Sequence, residues 1–158
     1  MKLDVIILAG APNDGPLKEM SDTEHEALIK IAHLPMVEYV LKAVNQAQYT
    51  GRVVVVGPQK ELEESIQEKA DFFVEGSYSI KDNILRGLAA LEDGSDYILL
   101  MSSDIPLITA EVIDKYIQAC LQDGKADLYY PIIPKESNLE KFPEGKRTYF
   151  QLAEGVFT

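Results

Sequence analysis

Apolar and polar residues are distributed along this chain in two distinct ways. Val5-Ile6-Ile7-Leu8 and Val53-Val54-Val55-Val56 are continuous apolar runs rather than alternating ones, and Tyr97-Ile98-Leu99-Leu100-Met101 is a third. Runs of this length without alternation suit strands buried on both faces, as in a parallel sheet covered by helices. Asp71-Phe72-Phe73-Val74 reads as a shorter strand and Leu128 to Ile133 as a fifth. Between them the apolar positions fall at helical spacing. Met36, Val37, Val40, Leu41 and Val44 follow Pro35, a suitable first helical residue. Glu61 to Lys69 reads as a charged surface helix, and Ser79 to Leu91 as an amphipathic one carrying Ile80, Ile84, Leu88 and Leu91, with Ser79 as its cap. Thr109 caps a further helix with Val112, Ile113, Tyr116, Ile117 and Leu121 on one side.

Strand and helix alternate, which predicts a three-layer α/β/α Rossmann-like domain with a mostly parallel sheet and right-handed crossovers. Pro134 to Arg147, rich in Lys, Glu, Pro and Gly, reads as a long loop, and Tyr149 to Leu152 as the start of another strand. Gly155 to Thr158 follows with apolar residues that have no later element to pack on. The expectation is a single domain over residues 1–158, the N-terminal part of a longer protein.

Composition narrows the function classes. No apolar run approaches the roughly 20 residues of a membrane-spanning helix, and Met1-Lys2-Leu3-Asp4 does not resemble a secretory signal. A net charge of −11 argues against general nucleic-acid binding, which needs a basic face. It leaves nucleotide binding open, because a metal ion and a few backbone amides neutralise phosphates locally. The single cysteine, Cys120, excludes an intramolecular disulfide and fits a reducing cytoplasm.

Two places can carry chemistry. The first apolar run ends in Ala9-Gly10-Ala11, small residues that let a ligand approach the backbone, and then in the loop Pro12-Asn13-Asp14-Gly15-Pro16. A buried first strand that runs into such a loop is where α/β proteins hold nucleotide phosphates, although a plain tight turn has the same composition. The second place is Ser103-Asp104-Ile105-Pro106, straight after the Tyr97–Met101 strand. Asp104 is either a metal ligand of the kind Mg²⁺ takes, or a cap for the segment that follows. In a parallel sheet both places fall on the carboxyl edge. Lys18 and Lys30 can each meet a phosphate or simply solvate a surface, and Asn83 can read a base edge or lie on an ordinary surface. His25 and His33 lack partners at zinc-ligand spacing. No Walker loop and no Gly-x-Ser-x-Gly elbow is present.

Several of these segments occur together in one family. Leu8-Ala9-Gly10, Ala27-Leu28-Ile29-Lys30-Ile31, Pro35-Met36-Val37-Glu38-Tyr39-Val40, Asn83-Ile84-Leu85-Arg86-Gly87-Leu88 and Ser103-Asp104-Ile105-Pro106 stand in the order found in NTP transferases. The chain resembles the molybdenum-cofactor guanylyltransferase-like NTP transferase domain, a nucleotidyltransferase of the glycosyltransferase-A type. The resemblance implies an NTP bound over Leu8, Ala9, Gly10, Ala11 and Gly15, with Asn83 near the base or ribose and Asp104 on Mg²⁺. A small phosphorylated acceptor would attack the α-phosphorus in the same cleft and release pyrophosphate. The family pattern has a second Gly where this chain has Ala11, an Arg after the loop glycine, and a Lys where this chain has Glu26. Lys18 is the residue placed to take over one cationic role. The family's second metal-binding Asp would lie beyond Thr158.

The sequence therefore predicts an Mg²⁺-dependent nucleotidyltransferase of the cytoplasm that acts on an NTP and a phosphorylated small molecule. The alternative is a nucleotide- or sugar-nucleotide-binding module that kept the fold and lost the signature Arg and Lys. The base, the acceptor and the oligomeric state are not legible.

Overall fold

The computed structural model describes residues 1–145 and 147–158. In chain order it contains β1 (Leu3–Leu8), β2 (Lys30–Ile31), β3 (Leu34–Pro35), α1 (Met36–Gln46), β4 (Thr50–Gly57), α2 (Gln59–Ser65), β5 (Phe72–Glu75), α3 (Ile80–Ala90), β6 (Ile98–Ser102), α4 (Ala110–Asp123), α5 (Lys135–Lys141), β7 (Phe150–Leu152) and β8 (Gly155–Phe157). The chain divides into two compact units, Met1–Ala119 and Cys120–Thr158, with the boundary inside α4.

The first unit holds a four-stranded parallel sheet in the order β5-β4-β1-β6. The apolar runs explain this order. Val5, Ile6 and Ile7 and Val54, Val55 and Val56 have no solvent-exposed surface, as expected for central strands covered on both faces. Ile98 to Ser102 alternates instead: Leu99 and Met101 are buried while Leu100 is exposed, which suits a strand at the edge of the sheet. Helix α1 buries Met36, Val37, Val40, Leu41 and Val44, the five positions its spacing singles out. Pro35 is its N-cap rather than its first helical residue. Glu38 is buried in the first turn, where a carboxylate faces the positive end of the helix dipole, with the Lys42 ammonium 3.7 Å from it. Helix α3 comes closest to the sheet at Gly87, where a Cβ would stand 2.8 Å from Cγ2 of Ile6. Ser79 caps α3 by accepting from the Asp82 N–H.

Three expectations are corrected. Helix α2 starts at Gln59 and ends at Ser65, short of Lys69. A single buried residue, Leu62, anchors it to the core, which leaves little to hold further turns. The segment 128–133 is not a strand: Pro131 lies within the run, and Ile133 is where the backbone pairs, exchanging hydrogen bonds of 3.0 Å with Thr158. The segment read as a loop from Pro134 onward opens with α5, where Pro134 occupies the cap position and Asn138 is buried. The last residues also find partners, since β8 pairs with β7 and the Phe150 and Phe157 rings lie 6.4 Å apart. Among the described residues no helix is long and apolar enough to cross a membrane.

The amino ends of the strands are pinned by Asp4. Its Oδ2 accepts from the Arg52 guanidinium at 2.7 Å and from the Ser95 N–H, its Oδ1 accepts from the Arg52 N–H, and its own N–H donates to Ser95 Oγ. Burial pushes the Asp4 carboxyl up, but the Arg52 hydrogen bond and the two backbone donors outweigh that and hold it below its ordinary value. The stabilisation is therefore complete above the unfolded-state carboxyl pKa of about 3.9 and disappears as pH falls through the lower folded-state value. Asp4→Ala should cost about 1–3 kcal/mol at neutral pH by leaving buried donors unpaired. Urea unfolding of both proteins should show that gap closing as the pH drops through the acid range. A gap independent of pH would mean that packing, not charge, carries the effect.

Candidate functional site

The carboxyl ends of the four strands meet around bare backbone. Val53 to Val56 leads into Gly57, where a Cβ would stand 2.7 Å from the carbonyl oxygen of Ala9. Gly76, just after β5, packs against Gly57 in the same way: a Cβ there would lie 3.1 Å from the Gly57 Cα. Its N–H donates to Gly57 O at 2.7 Å. Gly10 completes the group, with room for a Cβ limited by Asn83 Nδ2 at 3.2 Å. Three strand ends thus approach one another at positions with no side chain; at Gly57 only glycine fits the distance, and at Gly10 and Gly76 a side chain would force its neighbour to give way.

The Asn83 side chain holds the segment after β5. Its Oδ1 accepts from the Ser77 N–H at 2.6 Å and its Nδ2 donates to Ser77 O at 2.9 Å. Asn83 is 6% exposed, so it is not an ordinary surface residue: its carboxamide is engaged with the loop backbone. On the other side of β1, Ser103 N–H donates to Leu8 O at 3.1 Å and Leu8 pairs with Ser102, which brings Asp104 to the edge beside Gly10. Asp104 is exposed, and Ser102 Oγ donates to its Oδ1.

The loop after Gly10 is folded back on itself. Glu26 N–H donates to Ala11 O, Asn13 N–H to Glu24 O, and Pro12 forms a β-bridge with His25. Asn13 is buried at 4% exposure and its Nδ2 donates to the carbonyls of Ser21 and Thr23, both at 2.9 Å. The short 3₁₀ turn Pro16–Glu19 carries Lys18, whose exposed ammonium lies 3.5 Å from Asp22 O within the same loop. The Glu26 carboxylate lies against Gly15, 3.8 Å from where a Cβ would be.

Of the candidate residues, Leu8, Ala9, Gly10 and Asp104 come together at one edge, and Asn83 reaches it through Gly10 and Ser77. Ala11 is exposed at the loop entrance, and Gly15 and Lys18 lie further out on the folded loop. Three residues not singled out in the sequence, Gly57, Glu75 and Tyr78, line a cavity of about 180 Å³ together with Gly10, Ser77 and His25, the last considered there only as a zinc ligand. The glycine that ends β4 and the one that follows β5 were the available signal. A larger hollow of about 420 Å³ lies by the turn before β4, lined by Gln46, Tyr49 and the first turns of α4. It sits at the amino end of β4, where Asp114 accepts from the N–H groups of Gln48 and Tyr49. Ligands of open parallel sheets bind at the carboxyl edge, so the smaller cavity is the candidate site.

Comparison with known proteins shows the family and the fold. A family model, the MobA-like NTP transferase domain, matches residues 5–139. The chain is 30% identical over 95 residues to the phosphoenolpyruvate guanylyltransferase of Sphaerobacter thermophilus, covering 59% of this chain and 46% of that protein. It is 25% identical over 139 residues to the 2-C-methyl-D-erythritol 4-phosphate cytidylyltransferase of Alkaliphilus oremlandii, covering 83% and 57%. The structure of a hypothetical transferase from Thermus thermophilus superposes with a TM-score of 0.74 at 29% identity, covering all of this chain and 62% of the other. The chain thus spans about half the length of these curated relatives. The α/β fold with its central parallel sheet is of the glycosyltransferase-A nucleotidyltransferase type, and the chain belongs to the MobA-like NTP transferase domain family.

Replacing Asn83 by Ala leaves the Ser77 N–H and C=O without partners and should cost about 1–3 kcal/mol. Amide exchange at Ser77 should accelerate while exchange in the middle of β1 tracks only the global loss. Unchanged protection at Ser77 would show that the glycine contacts alone hold the loop.

Proposed function

We propose that this chain forms the nucleotide-binding domain of an Mg²⁺-dependent nucleotidyltransferase. It would move an NMP from an NTP to the phosphate of a small acceptor, with release of pyrophosphate. The observation that carries this reading is the adjacency of β1 and β6, which brings the Leu8–Ala11 backbone and the Asp104 carboxylate to one edge of the sheet. Family membership supports the reaction class. The named relatives include a guanylyl- and a cytidylyltransferase, so similarity leaves the base open.

In this reading the backbone of Leu8, Ala9, Gly10, Ala11 and Gly15 lies along the nucleotide, where small residues keep side chains out of the way. Asn83 acts by fixing Ser77 beside Gly10. Lys18 is the one lysine within the folded loop, and it meets the phosphates after exchanging its contact with Asp22 O. An acceptor phosphate oxygen bonds to the α-phosphorus as the bridge to the β-phosphate breaks, and the electron pair leaves with pyrophosphate. The protein's part is positioning and charge placement.

The residues fit Mg²⁺ of the substrate-carried kind. Among the described residues no three His, Cys, Asp or Glu side chains gather into a metal cage. One exposed carboxylate, oriented by Ser102, suits an ion that takes one or two protein carboxylates and draws the rest of its shell from water and phosphates. When bound, Mg²⁺ supplies neutralisation of the charge that develops on the leaving pyrophosphate. A cytoplasmic location accords with an NTP substrate and a lone thiol.

A second reading, a binding module without turnover, is favoured by one feature. The Glu26 carboxylate faces Gly15 inside the loop where the family pattern carries a lysine, and it repels phosphate there.

Thermal melting with each of the four NTPs, with and without Mg²⁺, distinguishes the readings. A ligand at about 100 times its dissociation constant stabilises by about 2.7 kcal/mol. One NTP should raise the melting temperature only with Mg²⁺, and Asp104→Ala should abolish that rise. Pyrophosphate release with a panel of phosphorylated alcohols, sugars and carboxylic acids then tests turnover. Binding without release supports the module; no response to any NTP sinks the transferase reading, and no response to sugar nucleotides either sinks the module.

A further inference from the structure

The 180 Å³ cavity is poorly suited to phosphate. Its lining includes the Glu75 carboxylate, and among the described residues no Lys or Arg lines it. Three of the residues around it, Gly10, Gly57 and Gly76, present only peptide surface. Tyr78 also lines it and is 99% exposed, so its phenol ring stands in water beside a hollow rather than against a core. That ring hangs from a rigid stem, because the preceding residue, Ser77, is held on both sides of its peptide unit by Asn83. His25 supplies a second ring, and its Nδ1 is shut off from solvent without a hydrogen-bond partner.

A flat peptide surface, two aromatic rings and neutral or acceptor groups suit a planar, uncharged heterocycle. We infer that Tyr78 stacks on the nucleobase of the bound NTP, with the cavity beside Gly76 as the base pocket and His25 as a polar group for the ring edge. The inference rests on the NTP-binding reading above and adds the residue that grips the base. An exposed tyrosine also has a simple thermodynamic logic here. Its two rotatable side-chain bonds lose little entropy on stacking, and every base has a π-face for it to cover.

The test measures binding by calorimetry, with Mg²⁺ present, for the wild type, Tyr78→Ala and Tyr78→Phe. The ligands are the NTP selected by thermal melting and inorganic tripolyphosphate, which carries the same anionic chain without a base. Stacking predicts that Tyr78→Ala weakens NTP binding by about 5- to 150-fold. Tyr78→Phe, which keeps the ring, should match the wild type, and tripolyphosphate should bind all three proteins equally. Because Tyr78 touches no core, the ligand-free variants should melt with the wild type. Equal NTP affinity in Tyr78→Ala overturns the inference, as does an equal loss for tripolyphosphate, which would place Tyr78 on the phosphates. If wild type binds tripolyphosphate as tightly as NTP, no base is gripped and the inference fails while the transferase reading stands. If wild type binds no NTP, both fall.

Discussion

The contact between Gly57 and the Ala9 carbonyl is the constraint on which the rest of this architecture depends. A side chain at position 57 would overlap backbone, not the yielding end of a neighbouring side chain. Overlap with backbone can be relieved only by moving a strand end. Because Gly57 is bare, β4 can end flush against the Ala9–Gly10 turn, and Gly76 can then close on Gly57 from the next strand. Asn83 crosses from α3 to fasten Ser77, so four consecutive pieces of the sheet's carboxyl edge are locked to one another. The cavity is what remains between them. Its shape is set by backbone, which explains how loops joined to separate strands can present a defined surface.

This arrangement was partly legible. Gly10 and Asp104 could be assigned to one edge because parallel strands share a direction, so any two strand-end residues must lie on the same side of the sheet. Which strand neighbours which was not legible from the runs alone. Val53–Val56 and Ile98–Met101 are equally apolar, yet one flanks β1 on the glycine side and the other on the aspartate side. The cavity residues Gly57, Glu75 and Tyr78 escaped for that reason, since they meet Gly10 and His25 only through the order β5-β4-β1. The clearest failure, residues 128–133, had strand composition, but Pro131 interrupts it and pairing is confined to Ile133 with Thr158. Helix α5 escaped because its short run of Lys, Glu, Ser and Asn carries one buried position, too few for a periodic signal.

The two ends of the sheet are built on different physics. At the amino end, a buried carboxylate gathers donors from Arg52 and Ser95, an arrangement that stores stability in charge and is fully satisfied. At the carboxyl end the order comes from close peptide packing, from the neutral carboxamide of Asn83 and from the Arg86 guanidinium, which donates to the Glu75 carbonyl, while the carboxylates there, Glu75 and Asp104, are exposed. Among the described residues no ion pair holds this edge, so a charged ligand could be accepted there without first breaking one.

The folded loop after Gly10 limits how cations can contribute. Asn13 ties Ser21 and Thr23 to the base of the loop, Glu26 N–H closes it on Ala11 O, and Lys18 is turned toward Asp22 O. Its one lysine is therefore held by a contact at the 3.5 Å limit of a hydrogen bond, weak enough to be exchanged for a phosphate at small cost. Glu26 is different: its backbone is fixed by the loop closure and its carboxylate lies against Gly15. In the proposed reading, a phosphate chain along Leu8 to Ala11 would draw its neutralisation from Lys18, once released from Asp22 O, and from a cation held by Asp104 on the other side of β1, because Glu26 supplies none. On that reading, NTP binding would depend on a divalent ion more heavily than in a relative that retains the Arg and Lys of the family pattern.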